Sequence, residues 1–143
     1  MSRSTGRRKL LFLVHVEPMF EKFFPENYLK FVQLAARKFD RVIALDSQVD
    51  IGVCPEVQRI DGVEIMGWGW GYERGEDYGN GIENTIVSYG HEATWVPDWL
   101  LEMNVDMYDV VIAGGYDTEC LEDWRCVLDY LSIPFREWRH IVY

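Results

Sequence analysis

Cysteine is scarce in this chain: Cys54, Cys120 and Cys126 are the only three, and no two form a C-x-x-C pair. Such a set makes neither a disulfide framework nor a structural zinc site, and a reducing cytoplasm is the expected setting. Histidine is equally sparse. His15, His91 and His140 never stand four residues apart, so the helical His pair of a zinc site is missing, and no metal or other cofactor is expected. Lysine stops at Lys38. A glycine-rich dinucleotide fingerprint after a strand and a P-loop are both lacking. No apolar run approaches the roughly 18 residues that a membrane-spanning helix requires. Leu10 to Val16 comes after basic residues as a signal peptide would, but it is short and runs into His15, Glu17 and Pro18 without a small-residue cleavage site. Internal repeats and low-complexity segments are also missing.

The chain is instead rich in aromatic and acidic residues, with a globular composition. Of the 143 residues, 48% are hydrophobic and 15% aromatic, enough for one core and too much for a disordered chain. The net charge is -10, unevenly spread: Arg3, Arg7, Arg8 and Lys9 open the chain, and residues 10–143 carry 24 acids against 10 Lys and Arg, near -14. Such a surface repels nucleic acid and anionic lipid, and disfavours highly charged anions unless a local basic pocket exists. The expected partners are a small-molecule ligand or a protein, and the 21 Trp, Tyr and Phe residues leave material for a homo-oligomer interface.

Hydrophobic periodicity divides the chain into elements. Residues 1–8 read as a disordered basic tail and 9–143 as a single domain. Lys9 to Val16 is a continuous apolar run, hence a central strand buried on both faces. Pro25 to Phe39 carries apolar residues at helical spacing with a proline at its start. Arg41 to Leu45 is a second strand, so the three form a parallel βαβ unit. Glu56 to Ile60 and Val63 to Met66 flank Asp61-Gly62, the signature of an inserted β-hairpin. A glycine-rich loop comes next, with Thr85 to Ser88 as a short strand. A helix starts at Val96-Pro97-Asp98, a third core strand spans Asp109 to Ala113, a helix covers Glu119 to Leu131, and Phe135 to Val142 is a final strand.

This alternation predicts an α/β three-layer, Rossmann-like domain with a mainly parallel sheet. Right-handed crossovers place strand 41–45 on one side of strand 9–16 and strand 109–113 on the other. Ligands of such sheets bind beyond the carboxyl ends of the strands where the order reverses. That rule gathers His15, Glu17, Asp46, Gly114, Gly115, Tyr116 and Cys120 around one crevice.

Cys120 is the candidate nucleophile, since a helix start favours a thiolate. Asp117, Glu119, Glu122 and Asp123 oppose a second negative charge nearby, and a free cysteine also serves as a small buried hydrophobe. His15 is the candidate base, against a plain hydrogen-bonded histidine at the core rim. Glu17 would orient His15 or touch substrate. Asp46 serves equally as a turn former. Cys126 reads as core and Cys54 as incidental in a loop. His91-Glu92 reads as loop structure. Gly67-Trp68-Gly69-Trp70-Gly71-Tyr72 is either an aromatic wall for a planar ligand or a hydrophobic lid on the core.

Two segments resemble the isochorismatase-like cysteine hydrolases, the superfamily that includes nicotinamidases. Val14-His15-Val16-Glu17-Pro18-Met19-Phe20 is similar to their V-D-x-Q-x-x-F strand end, and Gly114-Gly115-Tyr116-Asp117-Thr118-Glu119-Cys120-Leu121 to their G-x-x-T-x-x-C-V. The strand ending at Asp46 resembles their D-W-H, with Gln48 in the histidine place. The C-terminal stretch ECLEDW…LDYLSIPF…VY also resembles small uncharacterised bacteriophage proteins, which would put the chain in a host cytoplasm. The resemblance implies an isochorismatase-like α/β domain and a catalytic Cys120. The family triad is an aspartate, a lysine and the cysteine; here His15 stands in the aspartate place and no lysine comes after Lys38. Two functions are therefore open. One is a cysteine hydrolase of small amide or acyl substrates using Cys120 and His15, with Glu17, Asp46, Gly114, Gly115 and Tyr116 binding substrate. The other is a catalytically silent acidic domain that binds a host protein or small ligand.

Overall fold

The computed structural model describes residues 7–14, 26–46, 54–68, 85–86, 94–115 and 120–142. Their elements run β1 (Arg8–Val14), α1 (Tyr28–Lys38), β2 (Arg41–Asp46), α2 (Pro55–Gln58), β3 (Val63–Gly67), β4 (Thr85–Ile86), β5 (Thr94–Trp95), α3 (Asp98–Glu102), β6 (Tyr108–Gly114), α4 (Cys120–Tyr130) and β7 (Phe135–Val142), with a 3-10 turn at Val105–Met107. Five strands form one all-parallel sheet in the order β3-β2-β1-β6-β7. The chain is thus an α/β Rossmann-like three-layer domain, with β1 central and the order reversing between β1 and β6.

Strand alternation sorts the core into two layers. Leu10, Phe12, Val14, Ile43, Leu45, Val110 and Ile112 face Leu100 of α3 and Leu121, Trp124, Val127 and Leu128 of α4. Leu11, Leu13, Val42, Ala44, Val111 and Ala113 face Val32 and Ala35 of α1 and Val57 of α2. Because β1, β2 and β6 are buried on both sides, their sequences are apolar without interruption. The α4 layer is aromatic: Trp124 packs edge-on to Phe12 at 5.1 Å and to Trp68 at 4.8 Å, and lies nearly parallel to Trp99 at 6.1 Å. Trp99 Nε1 donates to the Gly67 carbonyl oxygen at 2.9 Å, tying α3 to the end of β3. Trp68 is buried against this cluster, as a lid on the core would be, while residues 69–72 lie outside the described part.

Three expectations need correction. The hairpin at Asp61-Gly62 does not form. Pro55 instead starts a helical turn whose Val57 and Gln58 amides donate to the Cys54 carbonyl oxygen, and Val63–Gly67 pairs parallel with β2. The Asp-Gly turn is real, with Gly62 at φ 94, but it joins a helix to a strand. An antiparallel pair exists elsewhere, between β4 and β5. Cys54, read as a loop residue, is fully buried in the α1 layer, whereas Cys126, read as core, is half-buried on α4. Finally, Arg8 belongs to β1, paired with Tyr108, rather than to a tail. Among the described residues no helix is long and apolar enough to cross a membrane.

Candidate functional site

The carboxyl edge of the sheet is built around a close approach of two backbones. β1 and β6 run in register to Val14 and Gly114, and the Gly115 amide donates to the Val14 carbonyl oxygen at 3.0 Å. Gly114 sits at φ 106, and a side chain there would overlap the Val14 carbonyl oxygen and come within 2.6 Å of its nitrogen. Only glycine meets both demands, the left-handed φ and the contact. The double-glycine turn therefore has a structural cause before any chemical one.

Around this seam the predicted residues fall at different distances in the chain. Gly114 and Gly115 are buried at the seam itself. Asp46 ends β2 in register with Gly67, immediately after the Val14–Leu45 pair, so it shares the same sheet edge one strand away. Cys120 is the first residue of α4, an 11-residue helix. The side chains of Asp46 and Cys120, and the whole of His15, Glu17 and Tyr116, lie outside the described residues. The structure thus brings Gly114, Gly115 and Asp46 to the carboxyl edge on either side of the end of β1. His15 comes directly after Val14 in the chain.

Asp123, one of the acids around Cys120, is fully buried on α4. It stands in the first turn of α4, where the helix dipole favours an acidic residue.

A second polar constellation lies at the opposite, amino edge. Arg41 makes a two-pronged ion pair with Glu64, Nε to Oε2 at 2.8 Å and Nη2 to Oε1 at 2.7 Å, and donates to the Tyr108 hydroxyl at 3.3 Å. These bonds raise the Arg41 pKa further and hold the Glu64 carboxyl below its ordinary value. Arg125 on α4 donates to Glu137 of β7 at 2.9 Å and to Glu122 at 2.7 Å, and Arg139 also donates to Glu137. Burial works against ionising Glu137, but its two arginine partners outweigh that and keep its carboxyl below the usual range.

On the α1 side of that edge the cations are not neutralised in this way. Lys9, Lys38 and Arg136 line a groove of about 230 Å³ together with Phe39, Val111, Glu137 and Trp138. Sequence reading missed this group because its members come from β1, the end of α1 and β7. Only Lys9 carried a local signal, as a charge beginning an apolar strand. Among the described residues no cluster of His, Cys, Asp and Glu could hold a metal ion. Compared with known proteins, the chain matches no family model, no curated protein and no solved structure.

Proposed function

We propose that the carboxyl-edge crevice between β1 and β6 is the active site of a divergent isochorismatase-like cysteine hydrolase acting on a small amide or acyl substrate. The observation that carries this reading is the reversal of strand order at β1 and β6, with the helix begun by Cys120 coming after the β6 turn. In this mechanism Cys120 Sγ attacks the substrate carbonyl carbon while His15 takes the thiol proton. Amides of the segment from Gly114 to Cys120 hold the oxyanion. The tetrahedral adduct collapses to a thioester as His15 returns the proton to the leaving amine. Water, deprotonated by His15, then releases the acid and restores the thiol. Glu17, Asp46 and Tyr116 border the crevice as substrate-binding groups.

The test is the reactivity of Cys120 toward an alkylating thiol probe between about pH 5 and 9, bracketing the ordinary thiol range. A fast-reacting thiolate near neutrality, lost in Cys120→Ser and shifted in its pH profile by His15→Ala, supports the hydrolase. A thiol that reacts only at its ordinary pH, or not at all, overturns it.

A specific observation favours a second reading, a silent binding domain. His15 takes the family aspartate's place, lysine is lacking after Lys38, and a buried Asp123 stands three residues from the nucleophile. On that reading the acidic surface engages a protein or small ligand, with a phage origin and host cytoplasm as the corresponding setting.

A further inference from the structure

The groove at the amino edge lies at the opposite end of the strands from the proposed crevice and is independent of it. Its shape is set by the layer above it. α1 packs on the sheet through Val32 and Ala35 and stops at Lys38, while Trp138 of β7 packs edge-on to Phe31 at 6.0 Å and to Phe39 at 5.7 Å. Val111, itself buried in the α1 layer, lines the gap between the end of α1 and Trp138.

The cations converge on that gap for reasons of register. Val111 pairs with Leu11 on one side and with Arg136 on the other. By alternation, Lys9, two residues before Leu11, shares their face. The backbones of β1 and β7 are separated by one strand, about 10 Å, a span that one lysine and one arginine side chain close upon a single ligand. Lys38 is held beside them by a backbone clamp. The Asp40 amide donates to the Lys9 carbonyl oxygen at 2.9 Å, and the Lys9 amide donates to the Asp40 carboxylate at 2.7 Å.

Of the acids nearby, Asp40 is bonded to the Lys9 backbone, Glu137, which lines the groove, points its carboxylate to Arg125 and Arg139, and Asp109 is the register partner of Lys9 on β6. No ion pair joins an acid to the Lys9 ammonium, Lys38 or Arg136 among the described residues. The adjoining groove, of about 220 Å³, includes Asp109 along with Arg7 and Arg136, so its charge is partly balanced.

From this we infer that the Lys9–Lys38–Arg136 groove binds the phosphate or diphosphate group of a small ligand. Three cations exceed what one carboxylate can balance and match a phosphate at two or three negative charges. Arginine adds the planar fork that holds two phosphate oxygens at once. The volume is below that of sites that enclose a drug-sized molecule, roughly 300–1,000 Å³, so the groove takes an anionic head group. Phe39 and Trp138 supply an apolar wall for whatever the phosphate is attached to. In an acidic chain this is the local basic pocket that lets an anion approach.

Calorimetric titration of the full chain with inorganic pyrophosphate, with adenosine diphosphate and with citrate tests the proposal. Saturable pyrophosphate binding is expected, with citrate at least about tenfold weaker and Lys9→Gln or Arg136→Gln each losing about tenfold, the effect of one charge-assisted hydrogen bond. Lys30→Gln, outside the groove, keeps wild-type affinity. A tighter adenosine diphosphate arm, reduced by Trp138→Phe while pyrophosphate binding stays, identifies an esterified phosphate; equal arms identify the free anion. Each variant's unfolding midpoint is measured alongside, so that lost binding is separated from lost fold. No saturable binding of pyrophosphate or adenosine diphosphate at millimolar concentration overturns the proposal. So does citrate binding as tightly as pyrophosphate, or an unchanged affinity in Arg136→Gln.

Discussion

The two faces of the sheet solve the same burial problem with different materials. The face under α4 is filled by large rings, Phe12, Trp68, Trp99 and Trp124, while the face under α1 is built from small residues, Ala35, Ala44, Ala113 and Cys54. Each face carries one 11-residue helix and one short one, so the difference lies in side-chain size and not in helix length. α1 has 11 residues, and alanines let it approach the strands closely. The rims differ in the same sense: Arg41, Glu64, Arg125 and Glu137 pair on the aromatic side, and Lys9 and Arg136 stand without acid partners on the alanine side. One face is spent on stability; the other keeps charge available.

The sharpest way to break this contrast is Trp124→Ala, which empties the centre of the aromatic face. It should cost about 3–5 kcal/mol in urea unfolding, the usual range for a buried Trp truncation. A loss under about 1 kcal/mol would mean that the rings are not the principal filling. Ala35→Leu makes the converse test on the alanine face. Overpacking there should cost about 1–3 kcal/mol, whereas the larger side chain would be tolerated if α1 stood off the sheet.

How far these faces could be read from sequence depends on range. β1, β2 and β6 were legible because burial on both sides leaves unbroken apolar runs, and α4 because Leu121, Trp124, Val127, Leu128 and Leu131 recur at helical spacing. β3 was not recognised as a parallel strand, since Val63 to Met66 beside Asp61-Gly62 carries the same local pattern as a hairpin arm. Its true partner is β2, which a turn signal cannot specify. The reversal of strand order at β1 and β6 was legible through topology, but the turn glycines carry no mark that separates a backbone contact from a reactive site. Charge pairing was illegible for the same reason of distance: Arg41 and Glu64 are 23 residues apart, and Arg125 and Glu137 are 12 apart. Lys9, Lys38 and Arg136 meet only once three elements have packed.

Smaller effects sharpen the comparison of the rims. Both Glu64 and Glu137 have carboxyls held below the ordinary value of 4.5 in the folded chain. Their contribution is therefore complete above about pH 4.5 and is lost as the pH falls through the lowered folded values. Glu64→Gln should cost about 0.5–1 kcal/mol at neutral pH, the range of a partly exposed ion pair, and progressively less as the pH falls through the lowered folded value. A cost that did not shrink on acidification would point to packing instead of charge. On the other rim, Lys9→Gln should change the unfolding free energy by less than about 0.5 kcal/mol at any pH, as expected of a charge without a structural partner. A large loss would assign Lys9 to the scaffold and remove it from ligand binding.

β7 has a consequence for how molecules of this protein meet one another. Among the described residues it is an edge strand, paired on one side only, the usual template for sheet continuation between chains. Its sequence places Arg136, Glu137 and Arg139 along that border, and its pairing with β6 breaks register between Ile112 and Gly114. A second copy docking there edge to edge would have to accommodate charged side chains along a strand whose register is broken. The same arginine that lines the groove thus acts as a gatekeeper, guarding the border of the sheet against aggregation.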